Sequence, residues 1–173
     1  MGESLRTRAF RWGFNFWPCY RGTGGRVTFI SKDWREIRVR LPLSWRTRNY
    51  VGTLFGGSIY GAVDPFYMIM LMKNLGPGYV VWDKAATVRF RRPGRTALQA
   101  VFRLEAEELA EIERLVTEFP KVDRAYTVDL VDRNGAVHAT VEKVLHVSRR
   151  ASESPQDGSP SGTLANQNHH LTR

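Results

Sequence analysis

The chain has 173 residues, 42% of them hydrophobic, which supplies enough apolar material for one stable core but is cramped for two full domains. Its single cysteine excludes an intrachain disulfide and a cysteine-based metal site, and no stretch approaches the roughly 18 consecutive apolar residues of a membrane span. The formal net charge of +9 favours anionic partners and leaves nucleic acid, acidic membrane surfaces and phosphate-bearing small molecules open.

An amphipathic helix is predicted over residues 4–17. Pro18 ends its pattern. Leu5, Ala9, Trp12 and Phe16 recur at helical spacing, and Phe10, Phe14 and Trp17 broaden the apolar side. We expect this helix to lie on the domain and to cover hydrophobic surface, with contact to a membrane surface as the alternative. The segment has no uninterrupted apolar run of the kind found in secretory signals, so we expect a cytoplasmic location.

Six strands and a long apolar helix follow. The strands are predicted at residues 27–31, 34–41, 80–91, 96–106, 124–132 and 136–147, and Asn134-Gly135 suits the tight turn between the last two. An apolar helix is predicted at 56–75, and an acidic helix at 109–119 is inserted between the fourth and fifth strands. A helix that is hydrophobic nearly all round must be wrapped, so the pattern predicts an α+β fold with a curved antiparallel sheet around it.

The domain is predicted to span residues 1–149. Residues 150–173 are rich in Ser, Pro and Gly and poor in apolar groups, so we expect a disordered tail.

The start of the long helix is the most informative stretch for chemistry. If the helix begins near Gly56, the amides of Gly57 and Ser58 point out of its positive end and could hold an oxyanion. Asp64 is a lone carboxylate in an apolar segment and could act as a general base or a nucleophile. Eight residues of helix span about 12 Å, so Asp64 would have to meet the Gly57 amide of a second subunit.

Asp64 has an alternative interpretation that the residues alone leave open. Asp followed by Pro is also a helix start, with Asp64 as the N-cap and Pro65 at the first helical position. In that case residues 56–63 form a loop or an independent turn. Against it, Gly61 lies four residues before Pro65, so a continuous helix could kink there.

Several short motifs follow one another along the chain in a distinctive order. They are Asn49, Gly52-Thr53, Gly56-Gly57, Asp64, 88–94 and 96–98. Their order and spacing resemble the hotdog-fold acyl-CoA thioesterase superfamily, on its phenylacetic-acid-degradation side. The stretches 15–18, 64–67 and 81–84 resemble more closely an uncharacterised bacterial branch of that superfamily, a domain of unknown function.

The resemblance implies a hotdog fold, in a dimer or a dimer of dimers, that binds coenzyme A at the subunit interface as part of its substrate, with no separate cofactor. It places Asp64 at the acidic catalytic position, Gly57 at the oxyanion amide and Asn49 at a site-lining position. Those enzymes commonly have His where this chain has Phe55, and a phenyl ring transfers no proton. The resemblance therefore implies a thioester hydrolase, with a non-catalytic acyl-CoA or lipid-binding module as the alternative.

Four charged side chains outside the helix are further candidates. Asp83 or Lys84 could compensate for the missing imidazole, although an ordinary ion pair is the alternative. Arg91 and Arg92 could hold the phosphates of coenzyme A, or belong to a solvated loop. His138 and His146 lie about 26 Å apart along one strand, so no metal site is expected. No nucleic-acid-binding motif accompanies the positive charge, so nucleic acid is not an expected partner.

Overall fold

The computed structural model describes residues 2–150, so the predicted tail lies outside the described residues except for Arg150. The helices are α1 (Leu5–Phe16), α2 (Pro18–Thr23), α3 (Gly56–Gly61), α4 (Phe66–Leu75) and α5 (Ala106–Glu118). The strands are β1 (Arg26–Ile30), β2 (Glu36–Leu41), β3 (Tyr79–Phe90), β4 (Leu98–Arg103), β5 (Lys121–Val131) and β6 (Val137–Arg149). Within residues 2–150 no helix has both the length and the apolar character needed to cross a bilayer.

The six strands form one antiparallel sheet in the order β1-β2-β4-β5-β6-β3. Alternate side chains of β2, β4 and β6 are buried because one face of the sheet packs on the helices. Phe66 and Tyr67 of α4 contact Phe102 of β4, with ring centroids 5.1 Å apart in each pair. The predicted α+β class and the antiparallel sheet wrapped on a central helical segment are confirmed.

The central helical segment differs from the single helix predicted at 56–75. It consists of α3 and α4, separated by a turn at residues 62–65. Pro65 has no amide hydrogen, and its ring clashes with a helical carbonyl four residues earlier, so the ladder of hydrogen bonds stops there. Two side chains satisfy backbone carbonyls that lose their helical partners at this break. Tyr20 Oη donates to Ala62 O at 3.2 Å, and Lys143 Nζ donates to Asp64 O at 2.8 Å.

Helix α1 covers the edge of the sheet that β1 forms. The Asn15 side chain accepts a hydrogen bond from the Val27 amide at 2.8 Å and donates to the Val27 carbonyl at 2.9 Å, as a neighbouring strand would. Phe10 and Phe14 pack on the core. The expectation that this helix lies on the domain and covers hydrophobic surface is confirmed by these two residues, whereas Leu5, Trp12 and Phe16 of the predicted apolar side are exposed.

Two turns and one set of side-chain hydrogen bonds explain the remaining details of the fold. Gly135 has φ +81° in the hairpin between β5 and β6, as predicted from Asn134-Gly135. The second strand starts at Glu36 rather than at Trp34, because Trp34 has φ +60° and belongs to the preceding turn. Helix α5 is inserted before β5 as predicted, and Glu108 anchors it by accepting hydrogen bonds from Arg124 and Tyr126.

Candidate functional site

The break between α3 and α4 places Asp64 against a buried lysine that the sequence analysis did not single out. Lys143 lies on β6, where alternate residues face the helices, and its side chain is 1% exposed. Its Nζ donates to Asp64 Oδ1 at 2.6 Å and to the Asp64 carbonyl at 2.8 Å, and it lies 2.8 Å from Asp83 Oδ1. The three ammonium hydrogens thus have three acceptors, which makes burial of this charge tolerable.

We call Asp64, Asp83 and Lys143 the carboxylate–lysine cluster. Burial acts to lower the pKa of Lys143, but the hydrogen bonds and charges of the two carboxylates outweigh it, and the net effect raises the pKa. Two carboxylates share one ammonium group, so the cluster keeps one net negative charge. The Tyr60 ring lies 5.7 Å from Nζ, and burial together with the neighbouring Asp64 carboxylate raises the pKa of its hydroxyl.

The carboxylates of the cluster remain accessible. The side chains of Asp64 and Asp83 are 39% and 32% exposed, whereas Lys143 lies beneath them. Lys143 binds Oδ1 of Asp64, and the Tyr60 hydroxyl is a further neighbour of the same carboxylate. The cluster therefore presents partly exposed carboxylates that are held in place by a buried ammonium group.

Neither sequence account of Asp64 is fully correct. The N-cap of α4 is Pro65, with no side-chain cap hydrogen bond, so the alternative in which Asp64 caps a helix is wrong. The continuous helix is also wrong, because α3 is an independent helix of six residues. The side chain of Asp64 binds Lys143 instead, since the turn at 62–65 directs it to β6.

The predicted oxyanion residues lie at the other end of α3. Gly57 is exposed and Ser58 is buried in the first turn, about 10 Å along the helix from Asp64 at 1.5 Å per residue. Phe55 is the N-cap residue, and its ring carbon Cε1 lies 2.4 Å from the place where a Cβ on Gly57 would be. Phe90 of β3 approaches Gly56 in the same way, at 3.0 Å. Two exposed phenyl groups therefore flank the start of α3.

Asn49 is held inside its own loop. Its side-chain oxygen accepts hydrogen bonds from the amides of Val51 and Thr53 at 3.1 and 2.9 Å, and its side-chain nitrogen donates to Thr53 Oγ1 at 2.9 Å. These bonds close the loop that leads into Phe55. Within this chain Asn49 shapes the approach to α3, and its side chain is not brought to Asp64.

Of the remaining predicted site residues, one belongs to the carboxylate–lysine cluster and three lie outside it. Asp83 joins Asp64 through Lys143, as described. Lys84 lies at the bulge in β3, and its side chain forms an ion pair with Asp123 on β5, the ordinary ion pair that was the alternative for it. Arg91 donates from Nε to Thr140 Oγ1 at 2.9 Å, and Arg92 is exposed at the end of β3.

The sequence pattern of β6 marks Lys143 as unusual. The inward positions of β6 are Ala139, Val141, Lys143, Leu145 and Val147, so one charged residue interrupts a run of apolar ones. A lysine at a buried strand position needs a partner. No group of three or more His, Cys, Asp or Glu side chains within residues 2–150 could hold a metal ion.

Comparison with known proteins supports the family and the fold. Residues 6–147 match the family described as "Domain of unknown function (DUF4442)". A protein of unknown function from Pseudomonas aeruginosa, described as a probable thioesterase, is 20% identical and superposes with a TM-score of 0.74 over 87% of this chain and 100% of that one. No curated protein sequence matches the chain.

Two further solved structures share the fold. A thioesterase from Haemophilus influenzae is 13% identical, with a TM-score of 0.63 over 87% of this chain and 96% of that one. A protein from Shewanella oneidensis described as "the putative thioesterase" is 20% identical, with a TM-score of 0.61 over 83% of this chain and 96% of that one. At these identities the likeness concerns the fold, which is the predicted hotdog fold. With most of its length matched, the chain belongs to the DUF4442 family.

Proposed function

We propose that this protein hydrolyses thioesters of coenzyme A or of an acyl carrier, with Asp64 activating the attacking water. The observation that carries the proposal is the carboxylate–lysine cluster: a partly exposed carboxylate at the break of the central helical segment, held through one oxygen by a buried ammonium group. Buried charges are costly and require a specific partner, so such clusters are enriched at functional sites. The structural relatives described as thioesterases support this reaction class.

In the proposed reaction Asp64 accepts a proton from water while the water oxygen bonds to the thioester carbonyl carbon. The carbonyl oxygen becomes negative and receives hydrogen bonds from backbone amides at the start of α3, with Gly57 as the main donor. Collapse of the intermediate breaks the carbon–sulfur bond, and the departing thiolate takes the proton from Asp64. The products are a carboxylic acid and a free thiol.

This reaction requires two protomers, because Asp64 and Gly57 lie at opposite ends of α3. The sheet supports a homodimer through its second edge. Helix α1 covers the β1 edge, whereas β3 forms the other edge with twelve residues, most of them exposed from Trp82 to Phe90. A long uncovered edge strand presents unpaired backbone N–H and C=O groups that can bond to another strand. We infer that β3 of a second copy, and the two phenyl rings beside α3, complete the interface.

We expect the chain to sediment as a dimer, and the variant Phe55→Ser/Phe90→Ser to shift it toward monomer. Both rings are more than half exposed in the single chain, so their burial would be lost in the variant while the fold is spared. Sedimentation velocity over a range of concentrations measures the shift. Phe119→Ser removes a similarly exposed ring at the C-terminal end of α5, outside the β3 edge, and serves as the matched control. A parent protein that remains monomeric would contradict the two-subunit site.

A second candidate function is binding of an acyl-CoA or related lipid without hydrolysis. The Phe55 ring favours it, because this ring lies across Gly57 at the predicted oxyanion position and can neither donate nor accept a proton. In that case Arg91, Arg92 and the start of α3 would contribute affinity, and Asp64 and Lys143 would have a structural role.

One experiment separates the two functions. The purified protein is incubated with a panel of aliphatic and aromatic acyl-CoA thioesters, thiol release is followed with a colorimetric reagent, and binding is measured by calorimetry with coenzyme A thioethers that cannot be cleaved. Hydrolysis predicts saturable thiol release. Pure binding predicts saturable heats without turnover across the same panel. If neither signal appears, both functions are wrong for acyl-CoA.

A further inference from the structure

An open groove that contains no residue of the carboxylate–lysine cluster lies between α1, the start of β1 and the loop after β2. Its volume is about 740 Å³. Its charged lining consists of arginine alone: Arg11, Arg21, Arg26, Arg40 and Arg46. Three aromatic side chains complete it: Trp12, Phe16 and Trp45. We call this the arginine groove.

The positive charge of the arginine groove is nearly uncompensated. Residues 4–30 and residues 37–63 contain no Asp or Glu, and these two stretches supply every residue that lines the groove. Of its five arginines, Arg11 pairs with Glu3 at 2.8 Å within residues 2–150, and that carboxylate also accepts the amide of Ile30. A concentration of arginine without acidic neighbours attracts phosphate groups.

The apolar part of the surface extends beyond the groove. Trp45 is 85% exposed and Trp12 is 56% exposed, and each ring lies beside an arginine, with Arg46 5.7 Å from the Trp45 ring and Arg11 5.9 Å from the Trp12 ring. Along α1 the exposed stripe continues to Leu5, which is 83% exposed. From Phe16 back to Leu5 the stripe is about 16 Å long at 1.5 Å per residue, so a small ligand in the groove would leave much of it uncovered.

We propose that α1 and the arginine groove dock the protein on a bilayer that carries anionic phospholipids. The arginines would contact lipid phosphates, while the tryptophans and the outer stripe of α1 enter the interface between headgroups and acyl chains. Tryptophan and arginine suit this position because each has an apolar body and a polar end. Leu5 favours a bilayer over nucleic acid, since an aliphatic side chain offers no stacking surface to a base. This docking is independent of the proposed hydrolysis.

The test is flotation of the full-length protein with vesicles of phosphatidylcholine alone and of equimolar phosphatidylcholine and phosphatidylglycerol. We expect binding to the anionic vesicles only, weakened by added salt. Arg21→Gln/Arg26→Gln should reduce the binding constant by about fivefold for each charge removed, and Trp12→Ser should reduce it further. Arg133→Gln and Phe119→Ser are the matched controls, and both should bind like the parent.

Several results would overturn the proposal. Equal binding to neutral vesicles, or no binding to either kind, would remove the anionic-membrane assignment. Tighter binding to duplex DNA or to RNA than to vesicles, lost in the same arginine variants, would assign the groove to nucleic acid. A change of oligomeric state in Trp12→Ser by sedimentation would assign the stripe to self-association. Equal loss of vesicle binding in Arg133→Gln would show that total charge, not the groove, is responsible, and equal loss in Phe119→Ser would show the same for exposed aromatic rings in general.

Discussion

Replacement of Lys143 by methionine is expected to lower the free energy of unfolding by about 3 kcal/mol, the scale observed when one partner of a buried ion pair is removed. Methionine fills a similar volume, so the loss arises from the electrostatics. Asp64 and Asp83 would face each other without a cation, and the Asp64 carbonyl would lose its donor at the helix break. Urea denaturation followed by tryptophan fluorescence measures the change.

A triple variant provides the control for this prediction. Lys143→Met/Asp64→Asn/Asp83→Asn removes all three charges of the carboxylate–lysine cluster, and we expect it to regain most of the lost stability, because an apolar replacement of a whole buried ion pair is often neutral. If Lys143→Met alone were as stable as the parent, the ammonium group would not support the helix break. The conclusion that the charge of Lys143 stabilises the folded protein would then be wrong.

The same lysine predicts how stability depends on alkaline pH. The carboxylates raise the pKa of Lys143 in the folded protein above its ordinary value of 10.5. A raised pKa means that the folded state holds the proton more tightly, so the stabilisation is complete below the unfolded pKa and is lost as pH rises through the folded pKa. The difference in unfolding free energy between the parent and Lys143→Met should therefore be constant near neutral pH and shrink above about 10.5.

Replacement of Asp64 by asparagine is expected to lower kcat for thioester hydrolysis by about 10²- to 10⁴-fold, the usual contribution of a general base. Asparagine keeps the shape of the side chain and an oxygen that can accept from Lys143, but it accepts no proton from water. The Lys143 ammonium keeps Asp83 as its charged partner, so the fold is expected to survive. Steady-state thiol release measures kcat and KM separately, which distinguishes lost chemistry from lost binding.

Asp83→Asn is the informative comparison. It removes the same amount of charge from the same lysine, so both variants change the electrostatics of the cluster similarly. If Asp64 is the base, the Asp83 variant should lose far less activity. Equal losses in the two variants would mean that the cluster acts through its charge alone, and an Asp64→Asn protein that hydrolyses as fast as the parent would remove Asp64 from the mechanism.

Much of the fold could be predicted from local patterns. Alternation of apolar and polar residues located the strands, and Asn134-Gly135 located a hairpin whose Gly135 indeed has positive φ. An apolar segment too hydrophobic to face water required a sheet around it, which is why the α+β hotdog class followed from order and composition together with the resemblance. These features depend on residues near one another in sequence, where periodicity is informative.

The candidate site depended on contacts between distant parts of the chain. Asp64 could be interpreted as a catalytic base or as a helix cap from its neighbours alone, and only the structure shows that its side chain binds Lys143, which is 79 residues away in sequence. Which face of α1 is buried was equally undetermined: the helix has apolar residues on both sides, and only docking on β1 shows that Phe10 and Phe14 are inside and Trp12 outside.

The sequence by itself therefore determined the sheet, helices α1 and α5 and the excess of arginine, because apolar periodicity, turn residues and charge are local properties. The tertiary structure decided that Pro65 divides the central helix, that Asp64 rests on a buried ammonium group, and that an apolar stripe and five arginines share one surface. The physical reason is that burial and charge pairing are set by which segments meet, and that is decided only when the sheet closes over the helices.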